Sequence, residues 1–246
     1  MLSPIRSSVL SKVQSQFVET DWGVVLRSQG STESGEALAK LCEQYWYPLY
    51  CFARRQGQNP HDAEDLVQGF FGKVVEKNYF KDAKQEKGRL RTFLLVALKR
   101  YMANEWDREH RQKRGGGREF VSLNLDETET RFRCEPATQD CLDKNYNREW
   151  ATTLLGRVLT QLEAECAVAG TARLFEEVKI FLTGEKSEQT YADIAKRMGV
   201  AEGTLRGTVF RLRQRYREIL MRTIAETVDR PAEVESELRD LFAAVS

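Results

Sequence analysis

The stretch TYADIAKRMGVAEGTLRGTVFRLRQRYREI, Thr190 to Ile219, carries two short amphipathic patterns that meet at a glycine. Thr190 offers a hydroxyl to cap the first helix, and Asp193 stands where a carboxylate faces the unpaired amides and the positive end of the helix dipole. Ile194, Ala195 and Met198 share one face at helical spacing, and Gly199 supplies an exit through the left-handed conformation. A second helix is expected from about Glu202. Its Leu205, Val209, Leu212 and Tyr216 recur every three or four residues and face the core, which leaves Arg206, Thr208, Arg211, Arg213, Arg215 and Arg217 on the other sides. From Thr204 to Arg222 six arginines stand against Glu218, a net of +5. This is the layout of a helix-turn-helix that enters a major groove with its first residues on base edges and its later arginines on phosphates. A solvated basic helix packed on a neighbour is the alternative reading of the same pattern.

Composition sets the outer limits. A chain of 246 residues holds two small domains or one large one, and 41% hydrophobic residues is ordinary for a globular protein. The longest apolar runs, such as Phe93 to Leu98, fall far short of the roughly 20 residues of a bilayer span, and Met1 to Leu10 lacks a signal-peptide core. A cytoplasmic location is expected. Cys42, Cys51, Cys134, Cys141 and Cys166 are odd in number and scattered, with only His61 and His110 to help bind a metal. Free thiols are expected, with no metal site, disulfide framework or cofactor. The scarcity of histidine counts against acid–base and nucleophilic catalysis, so no catalytic centre is expected. Gly115 to Gly117, with no strand before it and no Lys-Ser/Thr after it, reads as a flexible break and not as a phosphate loop.

The formal charge of +1 conceals a segregation along the chain. Arg89 to Arg118 holds nine Lys/Arg against Glu105, Asp107 and Glu109, a net of +6; Glu119 to Asp143 holds seven acids against Arg131 and Arg133, a net of −5. Basic helix, acidic connector and basic helix follow in order, as in a protein that grips nucleic acid at two places.

Almost the whole chain reads as helix, and the fold class is all-α in two small domains. Helices are predicted near Asp21–Gln29, Gly35–Gln56, Pro60–Glu76, Leu90–Arg114, Asn147–Ala169, Ala172–Leu182, Tyr191–Met198, Glu202–Thr227 and Pro231–Ala244. Gly115 to about Asp143 has weak periodicity and is the natural linker. In the helix from Pro60, Asn59 is the cap, Pro60 suits the first position, and Asp62, Glu64 and Asp65 lie in the positive first turn. Ala63, Leu66, Val67, Phe70, Phe71 and Val74 form its buried stripe and leave Asp62, Asp65, Gln68 and Gly72 on an exposed ridge. The acids serve either as capping charges or as a partner-binding ridge.

Several phrases resemble a known family. Tyr47-Pro-Leu-Tyr-Cys-Phe-Ala-Arg-Arg, Asn59-Pro-His-Asp-Ala-Glu-Asp-Leu-Val-Gln68 and Gly88-Arg-Leu-Arg-Thr-Phe-Leu-Leu resemble region two of the extracytoplasmic-function (ECF) sigma factors of bacterial RNA polymerase. Thr190 to Gly199 followed by Gly203-Thr-Leu-Arg-Gly-Thr-Val-Phe-Arg-Leu-Arg resembles region four. Ala103-Asn-Glu-Trp-Asp-Arg and Gln112-Lys-Arg-Gly-Gly-Gly resemble a planctomycete-like subgroup with a long linker and a C-terminal tail. The resemblance covers roughly residues 20 to 225. It divides the chain into an N-terminal extension (1–20), region two (21–114), an acidic linker (115–146), region four (147–228) and a helical tail (229–246).

The resemblance implies a factor that binds core RNA polymerase and directs promoter recognition, DNA melting and transcription initiation. Asp62, Glu64, Asp65 and Gln68 would dock on a clamp helix of the largest subunit. Arg89, Arg91, Arg100, Asn104, Arg108 and Arg111 would contact the downstream promoter element. The loop from Asn78 to Lys87 would lie where a flipped base is captured, with Tyr79, Phe80 and Trp106 either receiving exposed bases or packing in the core. Region four, next to the polymerase flap, would read the upstream element through Arg206, Thr208 and Arg211, with Arg213 and Arg215 on phosphates. The acidic linker would thread the RNA exit path or serve as a solvated connector. Two departures stand out: Ala201 cannot cap the recognition helix, and Phe210 occupies a position where the family commonly has histidine. An anti-sigma factor or the chain's own tail is the expected kind of inhibitor. The tail's Val234, Leu238, Leu241 and Phe242 share one face of an acidic helix, which either covers the second domain's core or folds back on a basic DNA-reading face. A stand-alone helix-turn-helix regulator is the alternative function. A metal nuclease built on Asp62, Glu64 and Asp65 is disfavoured, because neighbouring acids on one turn make a poor site.

Overall fold

The computed structural model describes residues 32–76, 89–111, 125–134, 142–183, 189–228 and 231–246. Among them it is all-helical: α1 (Thr32–Arg55), α2 (Pro60–Glu76), α3 (Leu90–Arg111), α4 (Leu125–Cys134), α5 (Leu142–Val168), α6 (Ala172–Val178), α7 (Ile180–Thr183), α8 (Tyr191–Met198), α9 (Glu202–Ala225) and, after a 3-10 turn at Pro231–Glu233, α10 (Val234–Val245). No helix among the described residues is long and apolar enough to cross a membrane. The helix expected at Asp21–Gln29 lies outside the described residues, as do the Asn78–Lys87 loop, with Tyr79 and Phe80, and the Gly115–Gly117 break.

The described residues form two compact units, which divide between Thr153 and Leu154 and again between Ile224 and Ala225. The first unit runs up to Thr153 and takes in the tail. Its core is built on α1, α2 and α3. Asn59 Oδ1 accepts from the Asp62 amide at 2.9 Å, satisfying a donor that the start of α2 leaves open. Ala63, Val67, Phe70, Phe71 and Val74 are buried along α2 as the periodicity requires. Gly69 lets α2 and α3 approach closely, since a Cβ there would lie 2.6 Å from the Tyr101 hydroxyl of α3 and would have to displace that ring. Tyr101 in turn packs beside Phe70 with centroids 5.9 Å apart, and Lys73 Nζ sits 4.6 Å over its ring while pairing with Glu105 at 2.7 Å.

The first unit also departs from the sequence reading. The stretch taken as a break contains α4, and α4 is packed onto α1. Tyr50 Oη donates to Glu129 Oε2 at 2.7 Å, and Arg54 reaches both Glu129 oxygens at 2.7 and 3.1 Å. Phe132 meets Tyr50 edge-on at 6.4 Å and lies under the Arg54 and Arg55 guanidinium groups. The missed helix is held by a buried carboxylate, which apolar periodicity does not register. The start of α5 at Leu142, earlier than the expected Asn147, has a similar origin: Asp143 pairs with Lys99 at 2.6 Å, Glu149 pairs with Arg55 at 3.0 Å, and Tyr146 and Trp150 are fully buried. Part of the segregated charge is therefore neutralised inside the unit.

The second unit, Leu154 to Ile224, is organised by the capped turn the sequence announced. Thr190 Oγ1 accepts from the Asp193 amide at 3.2 Å and Asp193 Oδ2 accepts from the Thr190 amide at 3.0 Å, the reciprocal pair of a capping box. Gly199 leaves α8 at φ +67°. Ile194, Ala195, Leu205, Val209 and Val178 close the core. The expected single helix over Ala172–Leu182 is broken at Lys179 into α6 and α7.

Glu129→Ala leaves Arg54 and the Tyr50 hydroxyl without their carboxylate, and is expected to destabilise the first unit by about 1–3 kcal/mol. Denaturant unfolding of the full chain checks it. An unchanged midpoint would mean that α4 is not held to α1 in solution.

Candidate functional site

Three surfaces carry the residues singled out from sequence. On α2, the ridge is as the periodicity predicts at Asp62, Asp65 and Gly72, which are exposed, whereas Gln68, also expected there, is half-buried. The three acids have separate circumstances. Asp62 belongs to the cap, its Oδ2 accepting from Asn59 Nδ2 at 2.6 Å. Glu64 is only 5% exposed, and its Oε1 accepts from Gln68 Nε2 at 3.2 Å. Asp65 is an exposed carboxylate outside the cap.

On α3, Arg100, Asn104 and Arg108 are exposed, with Arg108 also pairing with Glu105 one turn back at 2.6 Å. Trp106 is 60% exposed, which sets it apart from the core aromatics of the unit. Arg111 ends the helix, and its side chain lies outside the described residues. Arg89 and Arg91 are placed differently from the rest. Arg91 is 5% exposed, with its guanidinium 4.2 Å over the Trp150 ring and its carbonyl accepting from Tyr146 Oη at 3.0 Å. Both arginines are paired with the tail: Arg91 with Glu237 at 2.8 Å and Asp240 at 3.2 Å, Arg89 with Glu237 and Asp240.

On α9, the four core positions point inward as expected, with Leu205 and Val209 at 1% exposure and Tyr216 donating to the Leu155 carbonyl at 3.4 Å. The cations divide into two sets. Arg206 is exposed, braced by Glu202 at 2.6 Å and by the Tyr191 ring, 4.6 Å below it, which is itself stacked on Phe181. Arg211 is exposed and donates to Thr208 Oγ1 at 3.1 Å. Arg213 and Arg215, expected on phosphates, hold the unit together in this structure. Arg213 donates twice to the Phe181 carbonyl, at 2.8 and 3.2 Å, and Arg215 forks onto Glu165 at 2.7 and 2.8 Å while reaching Glu218 at 3.0 Å. Sequence reasoning missed Glu165, fifty residues away with no local signal. It also passed over two glycines on the outward face of α9. Gly203 and Gly207 line that face with nothing within 4 Å of a Cβ built on either, and Phe210 follows, 58% exposed.

Described residues that are all-helical, with a capped helix-turn-helix in one unit and a cationic helix in the other, are those of a DNA-binding protein of the helix-turn-helix class. The model of the ECF sigma factor family matches residues 29–218, and the chain belongs to that family. It is therefore a sigma factor, acting in transcription initiation through RNA polymerase and promoter DNA. No curated protein and no solved structure matches the chain.

The Arg215 guanidinium holds the Glu165 carboxyl below its ordinary value. A carboxylate with a lowered value contributes stability above the ordinary glutamate range and loses it as pH falls through the lowered value. Glu165→Gln is thus expected to be less stable than the parent at pH 7, with the gap narrowing below about pH 4. Unfolding midpoints at neutral and acid pH measure this, and a gap of constant size would dissociate the pair from stability.

Proposed function

We propose that α2 docks the chain on core RNA polymerase through its exposed ridge, that α3 engages and helps open the downstream promoter element, and that α9 reads the upstream element. The factor is not an enzyme in this reading; it works in the cytoplasm and lends the polymerase a sequence preference. The observation that carries it is the family match across residues 29–218, which takes in residues of both units.

The separate circumstances of the three acids support Asp65 as the docking charge, because its carboxylate is exposed and takes no part in the cap or the interior. On α3, exposed Arg100, Asn104 and Arg108 suit phosphates and bases, and the exposed indole of Trp106 suits stacking with an unpaired base. On α9, Arg206 and Arg211 are the outward cations. The open sides of Gly203 and Gly207 let the backbone come close to base edges, and the ring of Phe210 offers an apolar contact of the kind a thymine methyl accepts. Arg213 and Arg215 act from either side of this face, by fixing α9 on Phe181 and Glu165.

Copurification with core polymerase and run-off transcription on a genomic fragment library test the reading, and separate it from a stand-alone regulator that binds duplexes unaided. Asp65→Arg is expected to abolish association with core polymerase while leaving helical content unchanged; tight association by the folded variant would count against α2 as the docking element. Arg206→Ala is expected to lose about 1–3 kcal/mol of discrimination at one upstream base pair. Competition between matched and mismatched promoters reads that loss, and undiminished discrimination removes Arg206 from the base-reading set.

A further inference from the structure

The family match ends at residue 218, so the tail helix α10 lies outside it. Val234, Glu237 and Leu241 are its buried residues, which places a carboxylate in the middle of an otherwise apolar stripe. Glu237 is 2% exposed and its Oε1 accepts from Arg91 Nη1 at 2.8 Å. Asp240, one turn on, meets Arg91 Nη2 at 3.2 Å and also pairs with Arg89, which donates in addition to Ser236 Oγ at 2.8 Å. Two carboxylates one helical turn apart thus answer two arginines two residues apart at the start of the basic stretch.

Three observations separate this contact from a simple packing staple. Arg89 Nε lies 2.9 Å from Glu237 Oε2 but out of line for a hydrogen bond, so a buried carboxylate oxygen is left without one. A buried ion pair is held against the cost of taking both charges out of water, and an oxygen held by charge without an aligned hydrogen bond offsets less of that cost. Burial accordingly raises the Glu237 carboxyl and lowers Arg91, against the pull of each on the other. Finally, the two arginines border a cavity of about 650 Å³, also lined by Lys144, Arg148 and Asp240, through which another anion can approach them.

Resting on the sigma-factor reading above, we propose that Glu237 and Asp240 occupy, on Arg89 and Arg91, the places of nucleic-acid backbone phosphates, so that the chain's own tail and promoter DNA compete for one surface. The tail is then a built-in competitor of the first unit.

The test uses holoenzyme assembled from core bacterial RNA polymerase and either the full chain or its Glu237→Gln/Asp240→Asn form, with a genomic fragment selected by run-off transcription. The substituted form is expected to bind the fragment about ten-fold more tightly, in the range of ordinary coupling between sites. Its salt dependence is expected to steepen by about two in slope, one for each arginine released to a phosphate. Equal affinity and slope in a variant of unchanged helical content overturns the proposal and leaves the tail a structural cover. In the unsubstituted chain, backbone amide exchange in α10 is expected to be slow in the free protein and faster in the promoter complex; protection retained on promoter binding overturns it, whatever the variant's stability. Absence of run-off transcripts with either form on every fragment overturns the sigma-factor reading itself, and this proposal with it.

Discussion

A guanidinium withdrawn from water needs a carboxylate or an aromatic face, and Arg91 of α3, almost fully buried, has both. Trp150 lies beneath it, Tyr146 bonds to its carbonyl and Glu237 receives its charge. Helices far apart in sequence are brought to one residue by that requirement. Remove the arginine, and α5 and α10 each lose the group they share in the first unit.

The same rule sorts the remaining cations. Arg54 answers Glu129, Arg55 answers Glu149, and Arg215 answers Glu165. These pairs are buried or partly so and belong to the architecture. Exposed cations such as Arg206, Arg211 and Arg108 have polar partners one helical turn away, and Arg206 has the Tyr191 ring besides. Contacts of that local kind are weak in water. They brace a side chain without committing its charge, which suits a group that has still to meet a phosphate or a base. Net charge on a helix is thus a poor guide to its binding surface until the interior pairs are subtracted.

Legibility from sequence followed the range of the interaction. The start of α2 at Pro60 and both ends of α8, Tyr191 and Met198, are legible to the residue because caps, first-turn proline and left-handed glycine are signals within a few positions of the boundary they set. The inward stripes of α2 and α9 were equally plain. Helix α4 was hidden because its anchor is Glu129, a residue whose chemistry argues for solvent until Tyr50 and Arg54 are known to be beside it. The destination of the tail was hidden for the same reason: its acidic face was evident, but its partners stand almost 150 residues away. On the candidate surfaces, residue types were legible and commitments were not. Nothing local distinguishes Arg206, turned outward, from Arg215, already held by Glu165.

What the sequence does disclose is where it declines stability. Helix α8 observes every local rule, with a reciprocal cap at its start and a glycine in the left-handed region at its end. Helix α9, its neighbour, breaks three. It begins after Ala201, which has no capping atom; it places Gly203 and Gly207 on an open face, each less favourable than alanine by about 1 kcal/mol within a helix; and it leaves the ring of Phe210 in water. No contact among the described residues explains the glycines, since a methyl group at either position would meet nothing there. Departures gathered on one outward face, beside a helix that makes none, are what a fold looks like when a surface is kept for something outside it. In the reading proposed above, that something is the floor of a DNA groove: α8 is the frame, optimised for its own stability, and α9 is the edge the frame holds out.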